Sequence, residues 1–305
     1  MKKKQYIFAA IARVLMLLTL VFILAMPNRG SAQANFVSSS GYYKEIANST
    51  GGLLDKSACD VKCVYPFTKP MKVWLGESYT SASGTLGWDD SNSHRSSTTL
   101  HNSAYLRGPG IALVNDGTTW WALVVYFEDK NTAPTAHQFV LDMYEWAANT
   151  FTYSSETVLD VDDPGIDWTI NINSDINNNF VITWNDDDGF LNGWAGFTTN
   201  TGPHLVGTSP QVLYTNYSSV HYISPDVSIY ANDPASPEVY ISYVTNPVGV
   251  QINVDQYSFS STTGLGFNSN MASFGSSTDF YPRIACAPYN STYNNDDWTV
   301  VWFDN

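Results

Sequence analysis

Trp298-Thr299-Val300-Val301-Trp302-Phe303-Asp304 is the stretch from which the fold can be read, because it is the fourth copy of a pattern. The earlier copies are Leu123-Val124-Val125-Tyr126-Phe127-Glu128, Val181-Ile182-Thr183-Trp184-Asn185-Asp186 and Val239-Tyr240-Ile241-Ser242-Tyr243-Val244. Aligned on Tyr126, Trp184, Tyr243 and Trp302, they lie 58, 59 and 59 residues apart. β-Branched and aromatic residues dominate each copy, as strands require. A spacing that constant is an internal repeat, and the repeat dictates the architecture.

A second landmark keeps the same period. Each unit opens with a proline and a short strand: Gly108-Pro109-Gly110-Ile111, Asp163-Pro164-Gly165-Ile166, Ser224-Pro225-Asp226-Val227 and Tyr281-Pro282-Arg283-Ile284. These prolines are 55, 61 and 57 residues apart. Proline at the first residue of a strand forfeits no ladder hydrogen bond. A polar turn follows each opening, at residues 115–117, 173–179, 231–237 and 290–297, rich in the Asn, Asp, Gly and Pro that turn dihedrals favour. The aromatic-bearing strand comes next, then a third strand (138–144, 250–254) and a weaker fourth segment (157–160). Four short strands per unit and no helical periodicity define an all-β fold, and the repeat length is that of a β-propeller blade. A β-sandwich would predict neither the constant spacing nor the doubled register of proline and aromatic.

Three complete units start at Pro109, Pro164 and Pro225, and a fourth starts at Pro282 and reaches only its second strand. The repeats are clear over residues 107–305, whereas 35–106 is less regular, with a strand at 71–75, a polar loop at 81–97 containing Trp88-Asp89-Asp90, and a short edge strand within 97–106. A ring of four or five blades is expected, closed by N-terminal strands pairing with the C-terminal half-blade. The other outcome is a piece of a longer repeat protein with an open edge. An unpaired apolar edge strand invites aggregation, which favours closure.

Residues 1–34 read as a secretory signal peptide. The alternative is an uncleaved membrane anchor, with the apolar run stretched from Ile7, but the central run is short for a spanning helix. Lys2-Lys3-Lys4 is followed by an apolar run over 14–26 and by the small-x-small pattern Ala32-Gln33-Ala34. Cleavage there leaves the propeller over 35–305, with no further hydrophobic segment and so no membrane insertion. It also removes five of the 14 basic residues, leaving nine against 28 acidic ones, a formal net charge of −19. Such a surface repels nucleic acid and anionic lipid, and suits a secreted or cell-surface protein that meets Ca²⁺, neutral glycans or another extracellular protein. Three cysteines, Cys59, Cys63 and Cys286, make neither a disulfide framework nor a four-ligand zinc site. Cys59 and Cys63 could close a small loop, or either could reach Cys286, whose apolar strand suits a buried, inert thiol.

The Pro-x-[Ile/Val] opening and the strand of Trp298 to Asp304 resemble the degenerate repeats of secreted bacterial β-propeller proteins, over about two thirds of the chain. The resemblance implies architecture and no chemistry, since propellers host lectins, adhesins, sialidases and five-bladed glycosidases alike. In propellers the loops between second and third strands share a face with the loops entering each first strand. On this chain that face would gather Glu128, Asp129, Asp163 and Asp226, with Arg283 and Trp194 nearby as further ligand-binding candidates. Trp88, Trp120, Trp194 and Tyr222 fall in or beside loops where a ring could stack on a sugar. Tyr126, Trp184, Tyr243 and Trp302 repeat at fixed register and are expected to be packing between blades.

The densest acidic turn, Asp186-Asp187-Asp188-Gly189, could supply oxygen ligands to Ca²⁺, although it lacks the alternate spacing of an EF-hand loop. A solvated acidic turn is the plainer reading. Resemblance to sialidases would require an arginine triad. Arg95, Arg107 and Arg283 are the arginines left after leader removal, without the Asp-box turns of that family. Five-bladed glycosidases place two carboxylates across the funnel, yet no spacing here singles out a pair. The expectation is therefore an exported propeller-type binding or scaffold module with a glycan or protein ligand on the acidic loop face. The alternative is a carbohydrate-active hydrolase, sialidase-like or a five-bladed glycosidase, using funnel carboxylates.

Overall fold

The computed structural model describes residues 59–62, 71–76, 85–89, 95–101, 105–129, 137–161, 169–186, 189–215, 224–230, 237–245, 251–275, 279–286 and 298–304. Among these there are nineteen strands and no helix. The expected leader and the stretch 35–58 lie outside them.

The strands form consecutive antiparallel meanders, each in chain order. Blade I holds β1 (Cys59–Lys62), β2 (Met71–Gly76), β3 (Thr85–Asp89) and β4 (Arg95–Thr99). Blade II holds β5 (Tyr105–Asn115), β6 (Trp120–Asp129), β7 (His137–Ala147) and β8 (Thr150–Asp160). Blade III comprises β9 (Ile170–Ser174), β10 (Asn179–Asn185), β11 (Phe190–Thr199), β12 (Gly202–Leu205) and β13 (Gln211–Thr215), the last two sharing the outer edge of β11. Blade IV comprises β14 (Asp226–Tyr230), β15 (Glu238–Thr245), β16 (Gln251–Ser260) and β17 (Gly264–Gly275). A two-stranded half-blade V, β18 (Asp279–Cys286) with β19 (Trp298–Asp304), ends the series. The first strands lie side by side in sequence, β1 against β5, β5 against β9, β9 against β14 and β14 against β18. This is β-propeller architecture, with each first strand innermost in its blade.

Strand alternation assigns every residue of a blade to one neighbour or the other. Tyr126, Trp184 and Tyr243 pack on the preceding blade, and Val125, Thr183 and Ser242, one residue earlier, turn toward the following one. The apolar side chains accordingly form a core at each junction. Val73, Leu75, Leu86 and Trp88 meet Tyr126 and Tyr144 between I and II. Leu123, Phe127 and Phe139 meet Phe180, Ile182 and Trp184 between II and III. Val181 and Leu191 meet Tyr243 and Tyr257 between III and IV. Tyr230, Tyr240 and Val254 meet Ile284, with Trp298 and Val300, between IV and V. Tyr126, Trp184 and Tyr243 are therefore the packing elements that their spacing predicts; the Trp302 side chain lies outside the described residues.

Polar side chains on the inner strands stitch neighbouring blades together. Ser174 Oγ donates to the Leu113 carbonyl (2.7 Å), and Asn171 Nδ2 donates to the Pro225 carbonyl. Ile229 N–H donates to Asn173 Oδ1 (3.4 Å), and Cys286 N–H donates to Ser228 Oγ (3.0 Å). These bonds satisfy backbone groups that an inner strand edge would otherwise leave unpaired.

Several expectations need correction. The polar loop placed at 81–97 contains β3, and Trp88 within it is buried in the I/II core. The edge strand placed at 97–106 is instead the end of β4 and the start of β5. Met71–Gly76 pairs within blade I, on β1 and β3, so N-terminal strands build a blade of their own. Among the described residues none pairs with β18 or β19 except those two strands with each other. Pro109 and Pro282 do not open their strands but sit at bulges inside them, where the register shifts between Arg107 and Gly110 and between Phe280 and Arg283. A bulge tolerates the missing N–H as well as a strand end does. Pro225 does immediately precede its strand, and Pro164 lies outside the described residues.

Candidate functional site

Of the acidic residues singled out in the sequence, the two whose side chains are described, Asp186 and Asp226, are spent on the fold. At the β10–β11 turn Asp186 is buried, and its Oδ1 accepts the Phe190 N–H (2.7 Å) while Oδ2 accepts Asn192 Nδ2–H (2.8 Å). It ties its own hairpin. Asp187, Asp188 and Asp163 lie outside the described residues, and among the described residues no three His, Cys, Asp or Glu converge as a metal site. The same turn-tying use recurs on the opposite side of the blades. Asp175 Oδ1 accepts the N–H groups of Asn177 and Asn179, each at 2.8 Å. Asp116 accepts from Thr118, Thr119 and the Trp121 indole; burial pushes its carboxyl up, but these hydrogen bonds together hold it below the ordinary value. Asp160, at the end of β8, accepts Trp184 Nε1–H at 3.0 Å.

Of the six ligand-binding candidates, two come together. Asp226 Oδ2 accepts the Ile284 N–H (2.8 Å) across the IV/V junction, and the Arg283 guanidinium acts on it electrostatically. Burial pushes the Asp226 carboxyl up to about 6, with Arg283 and the backbone N–H groups of Ile284 and Val227 partly offsetting it. This pair joins blades. Glu128 and Asp129 end β6, opposite Gln138 and His137, so they do sit at the mouth of the β6–β7 loop. Trp194 is not beside a loop: it lies mid-strand in β11, 7% exposed in the II/III core, and its indole N–H donates to the Val206 carbonyl at 2.8 Å. Cys286 is a free thiol, pushed by burial up to about 11 and therefore unreactive as a nucleophile.

A different constellation, absent from the sequence reading, stands out in blades II and IV. Asp142 occupies the β7 position opposite Val124, and Asp255 occupies the equivalent β16 position opposite Ile241. Two residues on, Tyr144 and Tyr257 are equivalent in the same way. Each carboxylate therefore sits between two phenols, one from the second strand and one from the third. Tyr126 Oη–H donates to Asp142 Oδ2 at 2.9 Å, with Tyr144 Oη 3.3 Å from the same oxygen. Tyr243 Oη–H donates to Asp255 Oδ2 at 2.7 Å, and Asn270 Nδ2–H donates to Oδ1 at 2.8 Å. A carboxylate this deep is held by such hydrogen bonds or not at all. Burial, added to by the neighbouring aspartate, pushes the phenols of Tyr144, Tyr243 and Tyr257 far above their usual range, so they stay protonated donors.

Each cluster also has an aromatic rim toward the preceding blade. At I/II the His101 ring stacks on Tyr153, with centroids 3.8 Å apart. At III/IV the half-buried Tyr214, on β13, tilts over Tyr243 at 5.1 Å, and the exposed Phe267 meets Tyr257 edge-on at 5.6 Å. Burial and then the Asp255 charge raise Tyr214 as well. Carboxylate, phenol and amide groups beside aromatic edges can hydrogen-bond a polyhydroxylated molecule while covering its apolar faces.

No protein-family model and no curated protein matches the chain. Among solved structures it is similar to the fungal Aleuria aurantia lectin, described as a six-bladed β-propeller with a novel fucose recognition mode. The identity is 8%, over 81% of this chain and 71% of that one, with a TM-score of 0.47. A mutant of AofleA from Arthrobotrys oligospora is similar at 11% identity, over 81% of this chain and 64% of that one, also with a TM-score of 0.47. A thermostable family-43 glycoside hydrolase is similar at 10% identity, over 81% and 84%, with a TM-score of 0.40. What those proteins bind or hydrolyse belongs to them, while the blade architecture of this chain rests on its own sheets and cores.

Proposed function

We propose that the protein is an exported β-propeller binding module whose ligand is a neutral glycan, held between blades rather than hydrolysed in a funnel. The observation that carries this reading is the carboxylate set between two phenols, repeated in blades II and IV with an aromatic rim. Hydroxyl-rich ligands need donors and acceptors fixed at close range, and a strand-borne cluster fixes them better than a loop does. The formal charge of −19 after leader removal disfavours anionic sugars.

Hydrolysis would need an acid and a base or nucleophile facing each other across about 5–10 Å with room for a sugar. The carboxylates of Asp116, Asp142, Asp160, Asp175, Asp186, Asp226 and Asp255 are instead engaged by turns, phenols, an indole or a neighbouring blade. That supports binding over catalysis. The test is a printed glycan array probed with chain 35–305, followed by incubation with the bound sugars. Retention without turnover is expected. Release of reducing ends would replace binding with hydrolysis, and an array with no bound sugar would end the glycan reading.

A further inference from the structure

Resting on the glycan reading, we propose that the ligand site is the III/IV cluster alone, where the Tyr257 hydroxyl and Asp255 together receive one hydroxyl of the sugar, giving one site per chain.

The two copies of the cluster differ in what lies beside the second phenol. At I/II the chain fills the place beside the second phenol, since the His101 backbone N–H donates to Tyr144 Oη at 2.8 Å. The Tyr126 hydroxyl lies 3.3 Å from the His101 carbonyl as well, so one residue of the link between blades closes that cluster from both sides. At III/IV no backbone group among the described residues does so. Tyr257 is 2% exposed, and its hydroxyl has no hydrogen-bond partner among the described residues.

Leaving a buried hydroxyl unmade costs about 1–3 kcal/mol, so such a group calls for an explanation. A phenol that is protonated and short of a partner can donate one hydrogen bond and accept another. Asp255 beside it is 5% exposed and already accepts from Tyr243 and Asn270. A ligand hydroxyl entering here accepts from Tyr257 and donates to the Asp255 carboxylate, as each group requires. The Asn270 side chain is solvent-exposed and Tyr214 half-buried, so the ligand approaches Tyr257 from the edge these two form. Phe267, 61% exposed and edge-on to Tyr257, offers apolar cover to a sugar ring. An anion would meet the Asp255 carboxylate, whereas a neutral hydroxyl answers both the Tyr257 donor and the carboxylate acceptor.

The experiment uses chain 35–305, a printed array of neutral oligosaccharides, and calorimetric titration with the strongest array sugar. Tyr257→Phe removes one oxygen and should weaken that sugar at least tenfold while leaving the melting temperature unchanged or higher. Asp255→Asn, which keeps acceptance from Tyr243, should weaken it comparably. Tyr240→Phe, a buried phenol on the other face of blade IV, should leave the affinity as it is. A titrated stoichiometry of one per chain is expected. Unchanged affinity in Tyr257→Phe, or a stoichiometry of two, would overturn this assignment and leave the glycan reading standing. Displacement of the sugar by choline at this site would also overturn it, since that would mark a cation cage. A wild-type chain that binds no array sugar would sink both.

Discussion

The I/II and III/IV junctions carry the same three side chains at the same register, yet among the described residues a backbone group closes the cluster at I/II and none does so at III/IV. Tyr126, Asp142 and Tyr144 have His101 against them; Tyr243, Asp255 and Tyr257 have Tyr214, a side chain half open to solvent. The junction between them, II/III, abandons the motif. There Trp194 replaces the aspartate, and Gly196, opposite Phe180, replaces the second tyrosine. One backbone plan thus supports a polar junction whose second phenol is paired, an apolar one, and a polar one whose second phenol has no partner among the described residues. What varies is the side chain at two register positions. Packing alone fixes the period, and the polar residues laid over it are free to differ.

The apolar junction offers the largest effect. Phe180 is fully buried, and its ring fills the space that a tyrosine takes in blades II and IV. A Cβ added to Gly196 would lie 2.1 Å from that ring. Phe180→Ala should cost about 3–5 kcal/mol by chemical denaturation. Adding Gly196→Tyr to it recreates the Ala122–Tyr144 pairing of blade II and should recover part of the loss. Gly196→Tyr alone should overpack the junction. No recovery in the double variant would mean that the three junctions do not share one geometry, and the comparison would break there.

Blade IV can also be probed from its other face by pH. Asp226, half-buried at the IV/V junction, has its carboxyl raised by burial to about 6 from an ordinary 3.8. A carboxyl raised on folding contributes stability that is fully present below about pH 4 and is lost as the pH climbs through 6. At about 1.4 kcal/mol per pH unit the shift corresponds to roughly 3 kcal/mol. Asp226→Asn retains an acceptor for Ile284 N–H and cannot ionise, so its melting curve should fall less between pH 4 and 7 than that of the wild type. Parallel curves for the two proteins would rule out Asp226 as the titrating group.

The sequence carries the architecture because blade packing is periodic and repetition makes it visible. Tyr126, Trp184 and Tyr243, aligned from spacing, are all buried toward the preceding blade. The bulges at Pro109 and Pro282 were not legible, since proline suits a strand end and a bulge equally. Blade I was missed as a unit because its strands are short, four to six residues, against eleven in β7 and β8. Nor did the acidic pattern disclose the site. Carboxylates dense in loops drew attention to Asp186 to Asp188, whereas the aspartates that matter to the clusters lie inside strands. Their signal is Asp142-Met143-Tyr144 recurring as Asp255-Gln256-Tyr257, skipping a blade, so a period of one blade cannot reveal it. That His101 closes one copy follows from the path of a link between blades, which residue spacing does not specify.

The smallest effect is the sharpest test of the opening contrast, because the same substitution should have opposite signs at the two junctions. Tyr144→Phe strips the acceptor from the His101 N–H, made at 2.8 Å, and withdraws a contact from Asp142. It should cost about 1 kcal/mol, the usual net worth of such a bond, or about 2–4 °C in melting temperature for a domain of this size. Tyr257→Phe removes a hydroxyl with no partner among the described residues, so nothing is lost and a desolvation cost disappears. Its melting temperature should hold or rise by up to a few degrees, again on the order of 1 kcal/mol. Both rings stay in place and both cores keep their volume, so packing cancels from the comparison. If both variants melt lower by the same amount, the Tyr257 hydroxyl is as well satisfied as that of Tyr144, and the two junctions are alike. Opposite signs would mean that blade IV keeps a destabilising hydroxyl, a cost that folding alone would not retain.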